Sequence, residues 1–379
     1  MRKFSLAAAL LLIFTTQLAA QLPGPSSEFQ AKCAKYLQTP LPTDVSDIAV
    51  PNDFPECDSM ALYYGTWETS QNFQAAASCA WQERAFNLSE KGKPTDAPNT
   101  PIPFSQIYGG SAILVNIYAN GLSVPRSIPL ALRFACETDI YEWPGGLDDA
   151  IEALENLNGK PVPQSKKDYF KMCDFQGSTP TVAACANWSE EAANEDRNRA
   201  IKALTRKWNP SQISAFSQLR IAAEFYYHRH AGTELNNAGT ARAVEAIGEL
   251  DRFRDIFLAS LTSFERNNFP KGSANDFTKS DKKLNILYRK TLANAESNKD
   301  EYGTPKPEGI HTTQRAWLKY RDAWITFAKL RYPSVSADSW LTLLTNDRIA
   351  ILNDTACEIG IDDPSCEGRG EEYSARPLP

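Results

Sequence analysis

The chain has 379 residues, 42% apolar and 23% charged, which is the balance of a globular protein and not of a disordered or collagen-like one. Its formal charge of −6 argues against nucleic acid and anionic lipid headgroups as partners and suits a basic one. With only 3 histidines and no C-x-x-C spacing, no metal and no cofactor is expected.

Residues 1–20 read as a secretory signal peptide. Arg2 and Lys3 open it, Leu6 to Phe14 form its apolar core, and Leu18-Ala19-Ala20 precede a cleavage point at Gln21. The run is too short for a membrane span, and no later stretch reaches the necessary length. No cysteine directly follows the cleavage point, so no lipoprotein site is expected, and the mature chain is expected to be periplasmic or secreted. Loss of Arg2 and Lys3 leaves 38 basic against 46 acidic residues, −8 formally. Residues 21–56, rich in proline, are predicted to be an extended arm held at Cys33. All 8 cysteines (Cys33, Cys57, Cys79, Cys136, Cys173, Cys185, Cys357 and Cys366) lie in the mature part, and an even number in an exported chain points to disulfides.

Two related units span Cys57 to Glu137. Each has a short helix that ends in a tyrosine-containing segment and a glycine, Gly65 or Gly121. A second helix then starts near Asn72 or Ser127 and packs through Ala76 or Ala131. Leu-Tyr-Tyr-Gly and Ile-Tyr-Ala-Asn-Gly resemble Sel-like repeats, relatives of the tetratricopeptide family. That resemblance implies a short solenoid-like helical domain over 57–208, although a proline-rich insertion, Lys93 to Phe104, separates the units. The repeat geometry places Cys57 opposite Cys79, so that pair is predicted to be bonded. Closeness in sequence suggests Cys173–Cys185 and Cys357–Cys366, and elimination leaves Cys33–Cys136.

Leu147 to Leu157, Asp168 to Cys173 and Thr181 to Leu204 are predicted helices. Trp208-Asn209-Pro210 breaks the chain and marks the domain boundary, with Ser211 as the next N-cap. Within 209–353, one helical stripe is Phe216, Leu219, Ala222 or Ala223, and Tyr226. A second runs through Val244, Ile247, Leu250 or Asp251, Arg254, Phe257 or Leu258, and Leu261. Asn236-Asn237-Ala238-Gly239 is either a turn between two antiparallel helices or a weak spot in one long helix. Phe277 to Leu292 is a third helix, and Asn298 to Gly309 reads as a mobile loop. His311 to Arg331 carries Trp317, Tyr320, Trp324 and Phe327 at 3–4 spacing, with Arg315, Lys319, Asp322, Thr326 and Lys329 on the wet side. Its aromatic stripe is the largest apolar payload of the chain and should nucleate the bundle. Pro333 stops it, a last helix covers about Asp338 to Leu352, and 354–379 is a short acidic tail. No strand pattern appears, so the class is all-α, a helical-repeat domain followed by an antiparallel helical bundle.

The strings Asp281 to Tyr288, Gln314 to Ala323 and Leu344 to Arg348 resemble the lysozyme inhibitor LprI-like family. The motif Q-R-x-W-x-x-Y-R-D-A, carried by Gln314, Arg315, Trp317, Tyr320, Arg321 and Asp322, is specific. The resemblance covers roughly a third of the chain and implies an exported helical domain that binds and inhibits lysozyme. Where cysteine often follows R-D-A in that family, this chain has Trp324.

Trp317, Tyr320 and Trp324 are read as core. Arg321 is expected to pair with a carboxylate on a neighbouring helix such as Asp281. His228 and His230 point to different sides of a helix, which disfavours a shared metal. No G-x-S-x-G or Cys–His arrangement is present. The pairs Asp148-Asp149, Glu190-Glu191 and Glu371-Glu372 are read as solvated surface, not as a glycosidase's acid and base. The expectation is a non-catalytic binding protein whose partner is a basic lysozyme-like hydrolase, with an envelope scaffold as the alternative. Loop Asn298–Gly309 and tail Glu358–Glu372 are the elements expected to reach into a cleft.

Overall fold

The computed structural model describes residues 27–45, 49–66, 69–89, 108–138, 146–175 and 179–360. Among them no strand occurs, and twelve α-helices follow in order: α1 Ser27–Tyr36, α2 Ser59–Tyr64, α3 Phe73–Asn87, α4 Ser111–Asn120, α5 Ile128–Glu137, α6 Leu147–Asn156, α7 Thr179–Thr205, α8 Pro210–Thr233, α9 Arg242–Glu265, α10 Ala274–Ser297, α11 Pro307–Arg331 and α12 Ala337–Glu358.

The fold is all-α as the periodicities predict, but the arm is not wholly extended. Phe29 and Cys33, one turn apart, are buried, and α1 lies on α5 through the Cys33–Cys136 disulfide. The hairpins α2–α3 and α4–α5 are closed alike. Asn72 N–H donates to the Leu62 carbonyl (2.8 Å) and Ser127 N–H to that of Tyr118 (3.0 Å). Asn72 and Ser127 are the N-caps, and Gly65 and Gly121 end α2 and α4 in the left-handed conformation. Cys57–Cys79 ties the segment before α2 to α3, and Cys173–Cys185 ties the loop after α6 to α7. Cys357 is also disulfide-bonded, and its expected partner Cys366 lies outside the described residues.

Two asparagines of α4 organise the long loop. Asn120 accepts from Phe170 N–H (2.7 Å) and donates to its carbonyl (2.8 Å), while Asn116 accepts from Met172 N–H (2.9 Å). This backbone is therefore spent on side chains, and the helix predicted over Asp168–Cys173 is absent. Two short 3-10 turns, Lys166–Asp168 and Met172–Phe175, stand in its place. Glu83 is fully buried where two helices begin. It accepts from Ser59 N–H (3.0 Å) and Gly110 N–H (2.7 Å) and from the Ser59 hydroxyl. Burial pushes its carboxyl up to about 7, against the opposing pull of those donors. Its neighbour Arg84 forks onto Glu137 at 2.6 Å through both Nε and Nη2.

Helix α7 contributes Cys185 and Trp188 to one apolar cluster and Ile201 to a second, built mainly of α8 to α12. Its buried Arg197 meets Glu190, Asp251 and Asp255, and Arg254 meets Glu190 and Glu224. Asn209, not Ser211, caps α8, with a reciprocal bond to Gln212 and Pro210 in the first turn. The chain breaks at 234–241, so α8 and α9 are separate helices. The buried stripe of α9 is Glu249, Phe253, Phe257, Leu261 and Phe264, shifted from the predicted one.

Helices α8 and α11 run antiparallel. Gln212 bonds the Leu330 carbonyl at one end, and the Thr233 and Thr313 hydroxyls meet at the other. Helices α10 and α12 lie side by side in parallel, joined from Gly272–Ser339 through Ser280–Asn346 to Asn294–Ile359. The loop predicted to be mobile is packed instead. Thr304 is buried and donates to the Asn298 and Glu301 carbonyls, and Asn237 N–H donates to the Gly303 carbonyl (2.6 Å). Pro307 starts α11 one turn before His311. Helix α12 continues through Asp354 to Glu358, where a tail was predicted, because Thr355, Ala356 and Ile359 extend its buried face.

Candidate functional site

Helices α8, α9, α11 and α12 enclose a buried polar centre set against a wall of rings. Arg348 is wholly buried. Its Nη2 and Nη1 donate to Glu234 Oε1 and Oε2 at 2.6 and 2.8 Å, and its Nε donates to Gln314 Oε1 at 2.9 Å. The His230 ring lies between two carboxylates, Nδ1 at 2.9 Å from Glu234 and Nε2 at 3.1 Å from Glu249. Arg252 closes the chain on Glu249, 2.8 Å through Nε. A ring with both nitrogens against carboxylate oxygens satisfies both only as the imidazolium.

Electrostatics agree with that protonation. Burial alone would depress His230, but hydrogen bonds and charges from Glu234 and Glu249 outweigh it and raise the pKa. Burial raises both carboxyls, yet Arg348 and His230 bring Glu234 down to about 2, and Arg252 and His230 do the same for Glu249. Arg348 is raised because Glu234 and Tyr226 more than offset its desolvation.

Beside this centre is a cavity of about 40 Å³ between α9 and α12. Trp317, Tyr320 and Trp324 of α11 line it, with Phe253 and Phe257 on the α9 side and Trp340 and Asp347 on the α12 side. Trp324 and Trp340 are stacked at 6.0 Å, and Phe264 meets Trp340 edge-on at 4.9 Å. Asp347 is half-buried, but its Oδ1 is fully buried and has no hydrogen-bond partner among the described residues, and the same holds for the indole nitrogens of Trp324 and Trp340.

The six motif residues divide between inside and outside. Trp317 is 2% exposed, Gln314 and Tyr320 are half-buried against Arg348 and Tyr227, and Arg315 and Asp322 face solvent. The whole predicted wet side, Arg315, Lys319, Asp322, Thr326 and Lys329, is exposed. Arg321 does not reach Asp281. It lies over the Trp317 ring at 5.3 Å and bonds Asp322 of its own helix at 2.9 Å, which leaves Asp281 to Asn285. His228 is exposed while His230 is buried, so the two are not brought together. Asp148 and Asp149 are exposed, Glu190 is committed to Arg197 and Arg254, and Glu371-Glu372 lies outside the described residues.

Sequence pattern alone does not single out Glu234 or Glu249, and Asp347 enters it only as part of the Leu344–Arg348 string. The available signal was helical spacing: Glu249 precedes Phe253, Phe257 and Leu261 on one buried stripe. A second concavity, about 300 Å³, lies between Tyr63, Tyr64 and Phe73 of the first hairpin, Tyr169, and Ala192 and Ala193 of α7. Lys166, Lys171, Asp196 and Arg199 also line it.

Comparison with protein families matches residues 272–352 to the family described as Lysozyme inhibitor LprI. The matched segment holds α10, α11 and most of α12, and with them Gln314, Trp317, Tyr320, Trp324, Trp340, Asp347 and Arg348. No curated protein and no solved structure matches the chain.

Proposed function

We propose that this chain is an exported, periplasmic binding protein that inhibits a lysozyme-like cell-wall hydrolase and performs no catalysis itself. The match of residues 272–352 to an inhibitor family is the observation that carries this reading. The aromatic cavity draws most of its lining from that segment, whereas the Arg348 centre takes Arg348 and Gln314 from it and His230, Glu234, Glu249 and Arg252 from outside it. Three disulfides between described residues, and a bonded Cys357, suit an oxidising compartment. In this reading residues 209–353 form the inhibitory bundle, and residues 57–208 a Sel-like helical repeat that flanks it. The acidic chain is steered toward a basic enzyme. Tyr302, 78% exposed at the tip of the α10–α11 loop and next to Glu301, is the projecting element best placed to enter a cleft.

The test is a turbidity assay of egg-white lysozyme on cell walls at low salt with the purified protein in excess. Slowing supports the reading, and an unchanged rate removes it. The 300 Å³ concavity of the first hairpin favours a second reading, an envelope scaffold that holds a resident protein there. Pull-down from a periplasmic extract separates the two, because a scaffold retains its partner when Tyr64 and Phe73 are intact and loses it in Phe73→Glu.

A further inference from the structure

Buried charges in the bundle are matched, and Asp347 stands apart from that pattern. His230, Glu234, Glu249 and Arg348 hold one another, and Arg197 and Arg254 are met by carboxylates. Among the described residues Asp347, adjacent in sequence to Arg348, accepts no hydrogen bond and joins no ion pair, with Oδ1 fully buried. Its surroundings include the rings of Tyr320, Trp324 and Trp340. A carboxylate oxygen stripped of water and left without a partner is costly, so the group calls for a cation or a proton. Burial pushes its pKa up to about 7, which fits an acid waiting for a counter-charge.

The cavity has two lips, half-buried Ile256 and Ser260 on α9 and half-buried Leu343 and Asp347 on α12. Its volume of about 40 Å³ holds roughly three water-sized groups, enough for the head of one side chain and too little for a sugar ring. We propose that Asp347 anchors a lysine or arginine side chain of a basic partner protein, which enters between α9 and α12 and lies against the tryptophan rings. The carboxylate supplies the counter-charge and the ring faces add a cation–π attraction. The two indole N–H groups, donors only, are served by carbonyl oxygens or waters that accompany the entering chain. This inference rests on the inhibitor reading for the identity of the partner but not for the chemistry of the site.

The experiment compares wild type with Asp347→Asn in three measurements. Calorimetric titration into egg-white lysozyme should show binding at least tenfold weaker in the variant. Thermal unfolding should show an equal or higher melting temperature, because an unpaired buried charge has been removed. Titration with arginine amide or lysine amide should shift the indole N–H resonances of Trp324 and Trp340 in wild type and not in the variant. Equal lysozyme binding by both proteins overturns the inference while the inhibitor reading stands. If wild type ignores lysozyme, the inhibitor reading fails and the amide titration decides: shifts confined to wild type support the Asp347 site, and none in either protein overturns it. A lower melting temperature in Asp347→Asn also overturns it, since the carboxylate would then be structural. Ser260→Leu, which fills the lip and keeps the acid, should block both ligands.

Discussion

Replacing Arg348 with methionine tests the buried centre most directly. The substitution keeps volume but removes the fork that bonds Glu234 at 2.6 and 2.8 Å and Gln314 at 2.9 Å. Glu234 is then left fully buried, with His230 as its remaining partner. Breaking a buried pair by deleting one member costs about 3–5 kcal/mol. The depression of Glu234 from 4.5 to about 2 gives an independent scale: roughly 3 kcal/mol of pH-dependent stability resides in that carboxylate at neutral pH. Against a typical total of about 5–15 kcal/mol this is a large share. With a slope of about 2–3 kcal/mol per molar, the urea midpoint followed by tryptophan emission should fall by about 1–2 M. The acid limb moves as well. A depressed carboxyl stabilises above its unfolded pKa and loses that contribution as pH falls toward 2, so wild type should resist acid to below pH 4. Arg348→Met should begin to unfold nearer pH 5. A midpoint within about 0.3 M of wild type, together with an unmoved acid limb, would refute the argument that this pair organises the bundle.

Three further outcomes are expected. His230 has a raised pKa, so its contribution is complete below its unfolded value of 6.5 and is lost as pH rises through the folded one. Stability measured from pH 6 to pH 10 should therefore decline in wild type, and His230→Gln should flatten that slope. Gly303 has φ +84°, and a Cβ there would lie 2.4 Å from Ala238, so Gly303→Ala should cost about 2–4 kcal/mol and loosen the α10–α11 loop, read by amide exchange at Thr304. Asn120→Ala strips Phe170 of both its side-chain hydrogen bonds and should cost about 2–4 kcal/mol in urea titration, with earlier proteolysis of the loop between α6 and α7.

Much of this architecture is legible from residue pattern because the pattern is local. Asn72 and Ser127 announce helix starts, Gly65 and Gly121 announce ends, and the aromatic spacing of α11 announces its buried face. What escaped depends on partners far away in the chain. Glu249 looks like a surface acid until His230 is set beside it, and the two are 19 positions apart. The 168–173 segment has helical composition, but Asn116 and Asn120, some 50 positions earlier, take its backbone groups. Arg321 suggests a cross-helix partner from its place beside the apolar stripe, but a ring and an acid on its own helix are nearer. The candidate cavity was half visible: the tryptophans of α11 stood out, whereas Phe253, Trp340 and Asp347 come from stripes that only packing aligns.

Helix α7 has a practical consequence for anyone who cuts this chain. It is one rod of 27 residues, about 40 Å long, that touches both apolar clusters. A fragment that begins at Asn209 would leave Asp251 and Asp255 without Arg197 and would wet the flank of α9 that α7 now covers. Expression of the C-terminal half should therefore start before Cys173, which also keeps its bond to Cys185, and a clone begun at the proline break should aggregate, however well its five helices are capped.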